Sequence, residues 1–207
     1  VGYKTGLFGK WGLGAPKTEG IPNLQGFDYF YGYNCQRQAH NLYPPHLWEN
    51  TQKIFLDNEL IAPRTKLDSL ADPYNESSYL KFSQNDYAPK KIHEKALEFI
   101  TKNKDSSFFM YYASPLPHLP LQAPKEFVDK YRKTFGDEEP YLGDRGYFPN
   151  RYPRATYAAM IDYLDNQLGE LIETLKELNI YDNTVIILSS DNGPTYTGGV
   201  DFEYFQS

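Results

Sequence analysis

The sequence predicts an α/β fold in which a mainly parallel sheet is flanked by helices. Three apolar runs and two amphipathic stretches alternate along the chain, in the order strand, loop, helix, strand, loop, helix, strand. Strands that alternate with helices usually lie parallel in one sheet, because each helix carries the chain back to the edge where the previous strand began. A length of 207 residues suits one such domain.

The first half of the chain contains one predicted strand and two long irregular stretches. Residues 4–8 form the strand, and residues 9–14 follow it as a glycine-rich turn. Residues 15–50 lack a hydrophobic period, so we expect a long structured loop, a kind of segment that often carries function. Residues 51–87 are polar and irregular, with a small hairpin expected around residues 57–58.

The second half contains both predicted helices and two more strands. Residues 89–103 have apolar side chains at helical spacing, and residues 107–113 have the composition of a strand buried on both faces. Residues 114–153 are rich in proline and are predicted as loop. Residues 155–178 form the clearest helix, with one aliphatic stripe opposite the charges, and residues 184–189 a buried β-branched strand.

The composition bears on which partners the chain can take. The net charge of −6, from 21 Lys and Arg against 27 Asp and Glu, offers no basic surface for nucleic acid. No apolar run approaches the length of a membrane span. The single cysteine, Cys35, cannot form an internal disulfide. The 19 tyrosines are compatible with sugar-facing surfaces and with ordinary cores.

A lysine in a glycine-rich turn is the first candidate functional residue. The sequence Gly-Lys-Trp-Gly-Leu-Gly at residues 9–14 places Lys10 directly after the first strand. Glycines let the backbone approach a ligand closely while the ammonium group points at it, as proteins do when they hold sulfate or phosphate. The alternative is a plain turn with an exposed lysine.

Two further motifs follow the other predicted strands. Asp191 and Asn192 offer a carboxylate and an amide oxygen, which calcium accepts as ligands, and a simple Asp-Asn-Gly turn is the alternative. His118 lies among prolines that fix the backbone, so its imidazole could bind an oxyanion or protonate a leaving group. The alternative is a loop histidine that caps a strand end. Because ligands bind beyond the carboxyl ends of parallel strands, we expect these side chains and Lys10 at one edge of the sheet.

The remaining histidines are weaker candidates. His40 lies in the long aromatic loop near Arg37, and each could contact a substrate or have a structural role. His93 is expected on the polar side of its helix and His46 has no functional interpretation.

Four segments together resemble the sulfatase family of the alkaline-phosphatase-like superfamily. Residues 2–11 contain Gly-Tyr-Lys-Thr-Gly and Gly-Lys-Trp, and residues 26–33 read Gly-Phe-Asp-Tyr-Phe-Tyr-Gly-Tyr. Residues 117–120, Pro-His-Leu-Pro, resemble the family's active-site histidine loop. Residues 157–193 resemble its long helix and the metal-bearing strand that ends in Ser-Asp-Asn-Gly. The resemblance implies a sheet between helices and hydrolysis of a sulfate ester.

The resemblance also implies roles for individual residues. The family's nucleophile is a formylglycine hydrate, made from the first residue of a Cys/Ser-x-Pro/Ala-x-Arg motif, and calcium neutralises the sulfate oxygens. Asp191 and Asn192 would be two calcium ligands, Lys10 would bind a sulfate oxygen and the nucleophile, and His118 would assist the leaving group. Many members have His where this chain has Gly12, and we hypothesise that His40 contacts the substrate in its place.

The chain departs from the family pattern at both ends. Cys35 is followed by Gln-Arg-Gln-Ala, which does not fit the modification motif. The family's early acidic calcium ligands would precede Val1, and a further lysine would follow Ser207. We therefore expect residues 1–207 to be the central part of a single catalytic domain, incomplete at both ends, and not to turn over sulfate esters alone.

The leading interpretation is a sulfatase whose substrate is a sulfated sugar or an aryl sulfate. One alternative is a phosphonate or phosphodiester hydrolase of the same superfamily. The other is a non-catalytic carbohydrate-binding relative, for which the aromatic loop would serve equally well. The family resemblance implies a periplasmic or secreted location, while the sequence predicts no oligomeric state.

Overall fold

The computed structural model describes residues 2–205. Its described residues fall into two compact units, which we call the sheet unit and the helical unit. The sheet unit holds residues 2–59, 86–115 and 166–185, and the helical unit holds residues 60–85, 116–165 and 186–205. The expectation of a single catalytic domain stays a prediction.

The sheet unit is built on five strands in the spatial order β4-β3-β2-β1-β5. Strand β1 pairs in parallel with β2 and β5, as the alternation of strands and helices predicts. A hairpin of β3 and β4 extends the sheet with two antiparallel pairings. The predicted α/β class is confirmed. The strands are β1 (Lys4–Lys10), β2 (Tyr29–Tyr33), β3 (His46–Glu49), β4 (Gln52–Phe55) and β5 (Phe108–Ala113).

Helices cover the sheet and form most of the regular structure of the helical unit. The predicted helices at residues 89–103 and 155–178 are confirmed within two residues at each end. The helices are α1 (Ala88–Asn103), α2 (Lys125–Phe135), α3 (Pro153–Glu177) and α4 (Phe202–Phe205), with short 3₁₀ helices at Pro22–Leu24, Gln38–His40, Glu76–Phe82 and Tyr181–Asn183.

The core of the sheet unit centres on Phe8 in β1. Its ring is fully buried, with its centroid 5.6 Å from that of Tyr29 and 5.4 Å from that of Phe99 on α1. Leu171 and Leu175 of α3 belong to the same buried cluster. Burying each aliphatic or aromatic side chain contributes about 1.5–3 kcal/mol, so this cluster holds β1 firmly below the turn that carries Lys10.

Two glycines allow the central strands to come close together near their carboxyl ends. A Cβ atom on Gly9 would lie 1.9 Å from the backbone oxygen of Ala113, and one on Gly32 would lie 2.0 Å from the backbone oxygen of Gly9. Both residues have positive φ, 126° and 152°. Only glycine fits this combination of conformation and contact at either position. The close strand contacts that result fix the backbone position of Lys10.

The predicted buried strand at residues 184–189 is wrong. This run has no ladder partner among residues 2–205, and Val185, Ile187 and Leu188 are 87%, 86% and 77% exposed. A β-branched sequence favours extended backbone, but a strand forms only where another strand accepts its hydrogen bonds. The prediction that β5 is buried on both faces is also wrong, because Phe109 and Tyr111 are about half exposed.

Strands β2, β3 and β4 and helix α2 lie in stretches that are predicted to be irregular. Strands β2 and β3 fall within residues 15–50, and the β3–β4 turn is at residues 50–51 rather than near 57–58. Helix α2 falls within the predicted loop at residues 114–153. It has no fully buried residue, and ion pairs from Asp129 to Lys125 and Arg132 support it on the surface. Gly136 ends it with φ 74°.

A buried arginine organises the helical unit. The side chain of Arg151 is 7% exposed and donates to the backbone oxygens of Tyr74 and Glu138, at 3.1 and 2.7 Å. It also pairs with Asp137. The Glu138 carboxylate accepts hydrogen bonds from the first turn of α3, where an anion is favoured, and burial raises its pKa. Removing Arg151 would leave these acceptors unsatisfied.

His93 is buried, so the prediction that it lies on the polar side of α1 is wrong. It is 5% exposed, and its Nε2 donates to Glu170 Oε2 at 2.9 Å while Tyr112 Oη lies 3.3 Å from Nδ1. Burial lowers the pKa of His93 below its usual 6.5, although Glu170 and Glu94 act in the opposite direction.

The lowered pKa of His93 predicts a pH dependence of stability. The folded protein disfavours protonated His93. The contribution of neutral His93 to the free energy of unfolding is therefore present above pH 6.5 and is lost as the pH falls below that value. We expect the Tm of the wild type to fall more between about pH 7.5 and 5.5 than that of His93→Gln. Parallel pH profiles of the two proteins would contradict the assignment.

Candidate functional site

Lys10 is the last residue of β1, and its surroundings leave its charge available. It lies in register with Tyr33, and Trp11 N donates to the Tyr33 backbone oxygen at 2.9 Å. The Trp11 indole donates to the backbone oxygen of Gly20 at 2.7 Å, which anchors the turn. Lys10 is partly exposed, and its ammonium group has no hydrogen bond or ion pair among the described residues of the sheet unit. This arrangement can receive an anion.

The turn after Lys10 packs against residues that follow β2. A Cβ atom on Gly12 would lie 2.6 Å from Cγ of Gln36, so the Gln36 side chain occupies the space where a side chain at position 12 would begin. His40 is exposed at the end of a short 3₁₀ helix. The hypothesis that His40 contacts the substrate stays a prediction, while Gln36 is the residue that lies against Gly12.

Asn34 is a polar residue of this edge that the sequence argument missed. It directly follows β2 and is 3% exposed. The signal that could have found it is a lone amide at the end of an apolar aromatic strand, one position beyond the partner of Lys10.

His118 is an exposed residue of a proline-bounded turn of the helical unit. Its Nδ1 donates to the backbone oxygen of Leu119 at 2.7 Å, because a carbonyl oxygen can only accept. In the neutral ring, Nε2 then carries the lone pair. The peptide bonds before Pro117 and Pro120 are both cis, and the ring lies edge-on to Tyr147 at 6.3 Å. Such an imidazole can donate from Nε2 when protonated.

Asp191 and Asn192 lie on an exposed turn of the helical unit. Asn192 Nδ2 donates to the backbone oxygen of Gly193 at 2.8 Å, and Ser190 Oγ donates to the backbone oxygen of Asn192 at 2.6 Å. A carboxylate and an amide oxygen fit calcium by type, but calcium takes six to eight ligands. No group of three or more His, Cys, Asp or Glu residues is placed to hold a metal within residues 2–205. These two residues can supply only part of a calcium site.

The predicted site residues are therefore divided between the units. The sheet unit holds Lys10 and His40, and the helical unit holds His118, Asp191 and Asn192. Within the part of the chain that the structure describes, no helix is long and apolar enough to cross a membrane.

Comparison with known proteins decides the family. The sulfatase family model matches residues 1–206. The chain belongs to the sulfatase family. This confirms the resemblance drawn from the Gly-Lys-Trp, Pro-His-Leu-Pro and Ser-Asp-Asn-Gly motifs. It also places Lys10, His118 and the Asp191-Asn192 pair within a sulfatase sequence.

Curated sulfatases match nearly the whole chain. An uncharacterized sulfatase of Schizosaccharomyces pombe is 28% identical over 93% of this chain and 39% of its own length. Arylsulfatase J of Mus musculus is 28% identical over 96% of this chain and 28% of its own length. The N-acetylgalactosamine-6-sulfatase of Homo sapiens is 26% identical over 93% of this chain and 31% of its own length. The sulfatase chain thus spans roughly a third of the length of these relatives.

Solved structures of similar fold include proteins bound to sugars. One, Ps i-CgsB in complex with k-i-k-neocarrahexaose, matches 88% of this chain and 36% of its own with a TM-score of 0.60 at 24% identity. Another was solved with its substrate D-glucosamine-2-N,6-O-disulfate and matches 88% of this chain and 46% of its own with a TM-score of 0.57 at 16% identity. At these identities the likeness confirms the sulfatase fold.

Proposed function

We propose that the complete protein hydrolyses sulfate esters of sugars or aryl alcohols. Family membership and the curated relatives named arylsulfatase and N-acetylgalactosamine-6-sulfatase support this activity. The observation that carries it is Lys10, a cation without an ion-pair partner in the described sheet unit, at the end of a central strand beside a glycine turn. Such a group neutralises an oxyanion in a preorganised position.

Lys10 has the geometry of an anion-binding residue. The buried ring of Phe8 and the close strand contacts at Gly9 hold β1 in place, so the backbone that carries Lys10 needs little reorganisation when an anion arrives. Its role in the proposed reaction is to bind a sulfate oxygen and to stabilise the charge that develops there.

His118 is the proposed proton donor to the leaving oxygen. The hydrogen bond from Nδ1 to Leu119 leaves Nε2 as the nitrogen that can carry the transferred proton. A sugar alkoxide is a poor leaving group and needs this proton, whereas a nitrophenolate does not.

Calcium and formylglycine complete the proposed site. Asp191 and Asn192 would supply two calcium ligands, and calcium would neutralise sulfate charge when bound. The residues after Cys35 do not fit the motif from which formylglycine is made, so Cys35 is not proposed as its source. The formylglycine nucleophile is proposed from family membership alone.

The proposal is tested by assaying the complete protein on a panel of sulfated monosaccharides, 4-nitrophenyl sulfate, and the corresponding phosphate mono- and diesters. We expect turnover of sulfate esters that a calcium chelator reduces. Preferential turnover of phosphodiesters or phosphonates would replace the proposal with the phosphoester alternative. Sugar binding without turnover of any ester would favour the non-catalytic relative.

A change at His118 should separate the two kinds of leaving group. We expect His118→Ala to lower kcat on a sulfated sugar by about 10²-fold and kcat on 4-nitrophenyl sulfate much less. His46→Gln, a half-buried histidine of β3, is the matched control and should leave both rates within a factor of a few. Equal losses on both substrates would argue against proton donation by His118.

A further inference from the structure

Asn34 is an anomaly in the core of the sheet unit. It is 3% exposed, yet neither its Oδ1 nor its Nδ2 has a hydrogen-bond partner among the described residues of that unit. Elsewhere in residues 2–205, Asn23 and Gln167 each leave one buried oxygen unpaired, but Asn34 leaves its whole amide unpaired. A buried polar group without a partner costs about 1–3 kcal/mol, so such groups usually have a reason.

The position of Asn34 suggests that reason. It follows Tyr33, the register partner of Lys10, and therefore lies at the same edge of the parallel strands. The next three residues, at positions 35–37, are exposed, and Gln36 packs against Gly12 in the turn that follows Lys10. The unpaired amide thus lies at the border between the core and the solvent, where parallel sheets bind ligands.

The hydrogen-bonding chemistry of an amide restricts the class of ligand that can bind Asn34. The oxygen of Asn34 accepts a hydrogen bond and its nitrogen donates, so a ligand that satisfies both atoms must itself donate and accept. A sulfate dianion only accepts. A sugar hydroxyl does both, and a sugar ring carries hydroxyls next to its ester oxygen.

We propose that Asn34 is a substrate-recognition residue whose amide binds a hydroxyl of the sugar beside the sulfate ester held by Lys10. The inference rests on the proposed sulfatase function and deepens it, because it favours a sulfated sugar over an aryl sulfate. Without ligand the chain encloses the amide, so binding of the hydroxyl requires a local side-chain rearrangement.

The experiment is a double-mutant cycle in which one change is made in the protein and the other is the removal of a hydroxyl from the substrate. The complete wild-type protein and Asn34→Leu are assayed on one sulfated monosaccharide and on its deoxy analogues, each lacking one hydroxyl. We expect one deoxy analogue to lose at least about 10-fold in kcat/KM with the wild type and much less with Asn34→Leu.

A stability measurement separates recognition from a structural role. Leucine has a shape similar to asparagine and removes two unsatisfied groups, so Asn34→Leu should keep or raise the Tm of the ligand-free protein. Asn58→Leu is the matched control: its amide bonds the backbone oxygens of Pro44 and Asp86 and the Asp86 nitrogen, so its loss should lower Tm.

Three results would overturn the inference. If Asn34→Leu lowers Tm and slows every substrate equally, the amide has a structural role, such as holding a buried water. If every deoxy effect is the same in wild type and variant, Asn34 binds no hydroxyl, while turnover of sulfate esters still supports the proposed function. A wild type that hydrolyses neither a sugar sulfate nor 4-nitrophenyl sulfate overturns the proposed function and this inference with it.

Discussion

Replacing Lys10 with alanine should lower kcat/KM for sulfate esters by about 10³-fold in the complete protein. That factor corresponds to about 4 kcal/mol of lost transition-state stabilisation, which is typical for removal of one preorganised group at a developing oxyanion. Lys10 lies at the carboxyl end of β1 with no ion pair in the described sheet unit, so its charge is not neutralised by a neighbouring carboxylate there. Steady-state kinetics on a sulfated sugar and on 4-nitrophenyl sulfate measure the effect.

Lys4 provides a matched control within the same strand. It lies at the opposite end of β1 and is exposed. Lys4→Ala should leave kcat/KM within a factor of about two, because exposed charges at that distance are largely screened. Lys10→Ala should also keep its Tm within a few degrees of the wild type. A Lys10→Ala protein that retains more than a tenth of the wild-type activity would exclude this lysine as the anion-binding group.

Replacing Gly9 with alanine should destabilise the folded protein by at least about 3 kcal/mol. The new methyl group would lie 1.9 Å from the backbone oxygen of Ala113, at a φ of 126° that L-residues rarely adopt. Backbone atoms cannot turn aside as a flexible side chain can, so β1 and β5 would have to separate. Thermal unfolding should show a Tm lower by roughly 10 °C.

Gly169 provides a control, because its replacement by alanine should change the stability in the opposite direction. It lies within α3, and a Cβ atom built on it meets no atom within 4 Å. Gly169→Ala should raise stability by about 1 kcal/mol, because alanine is the better helix former. A Gly9→Ala protein that kept or raised its Tm, as Gly169→Ala should, would contradict the strand contact at Gly9.

Much of the sheet unit is predictable from sequence because its pattern is local. The apolar run before Lys10 and the helical spacing of α1 and α3 each specify their element without help from distant residues. The run Val185–Leu188 fails for the converse reason, since its residues favour a strand but a strand needs a partner. Helix α2 was missed because surface ion pairs rather than a buried stripe support it.

The candidate site also contains residues that local sequence predicts and residues that only the folded structure reveals. Lys10, His118 and the Asp191-Asn192 pair are predicted from motifs, because their chemistry is visible in the residue types and their neighbours. Asn34 is not, because its unusual property is the absence of a partner in the folded chain. His93 was assigned to the wrong face of α1 because its contact with Glu170 depends on tertiary structure.

The strand order has a consequence for the folding pathway. Strands β1 to β4 lie within residues 4–55 and pair with their sequence neighbours, whereas β5 pairs with β1 across about a hundred residues, as Gly9 does with Ala113. Closing long loops slows folding, so we expect the four-stranded part to form first and β5 to dock late. Pulse-labelled hydrogen exchange should then protect Tyr31 before Tyr112, and simultaneous protection would contradict this order. The turn that carries Lys10 would accordingly form while the other edge of β1 is still unpaired and open to incorrect strand pairing.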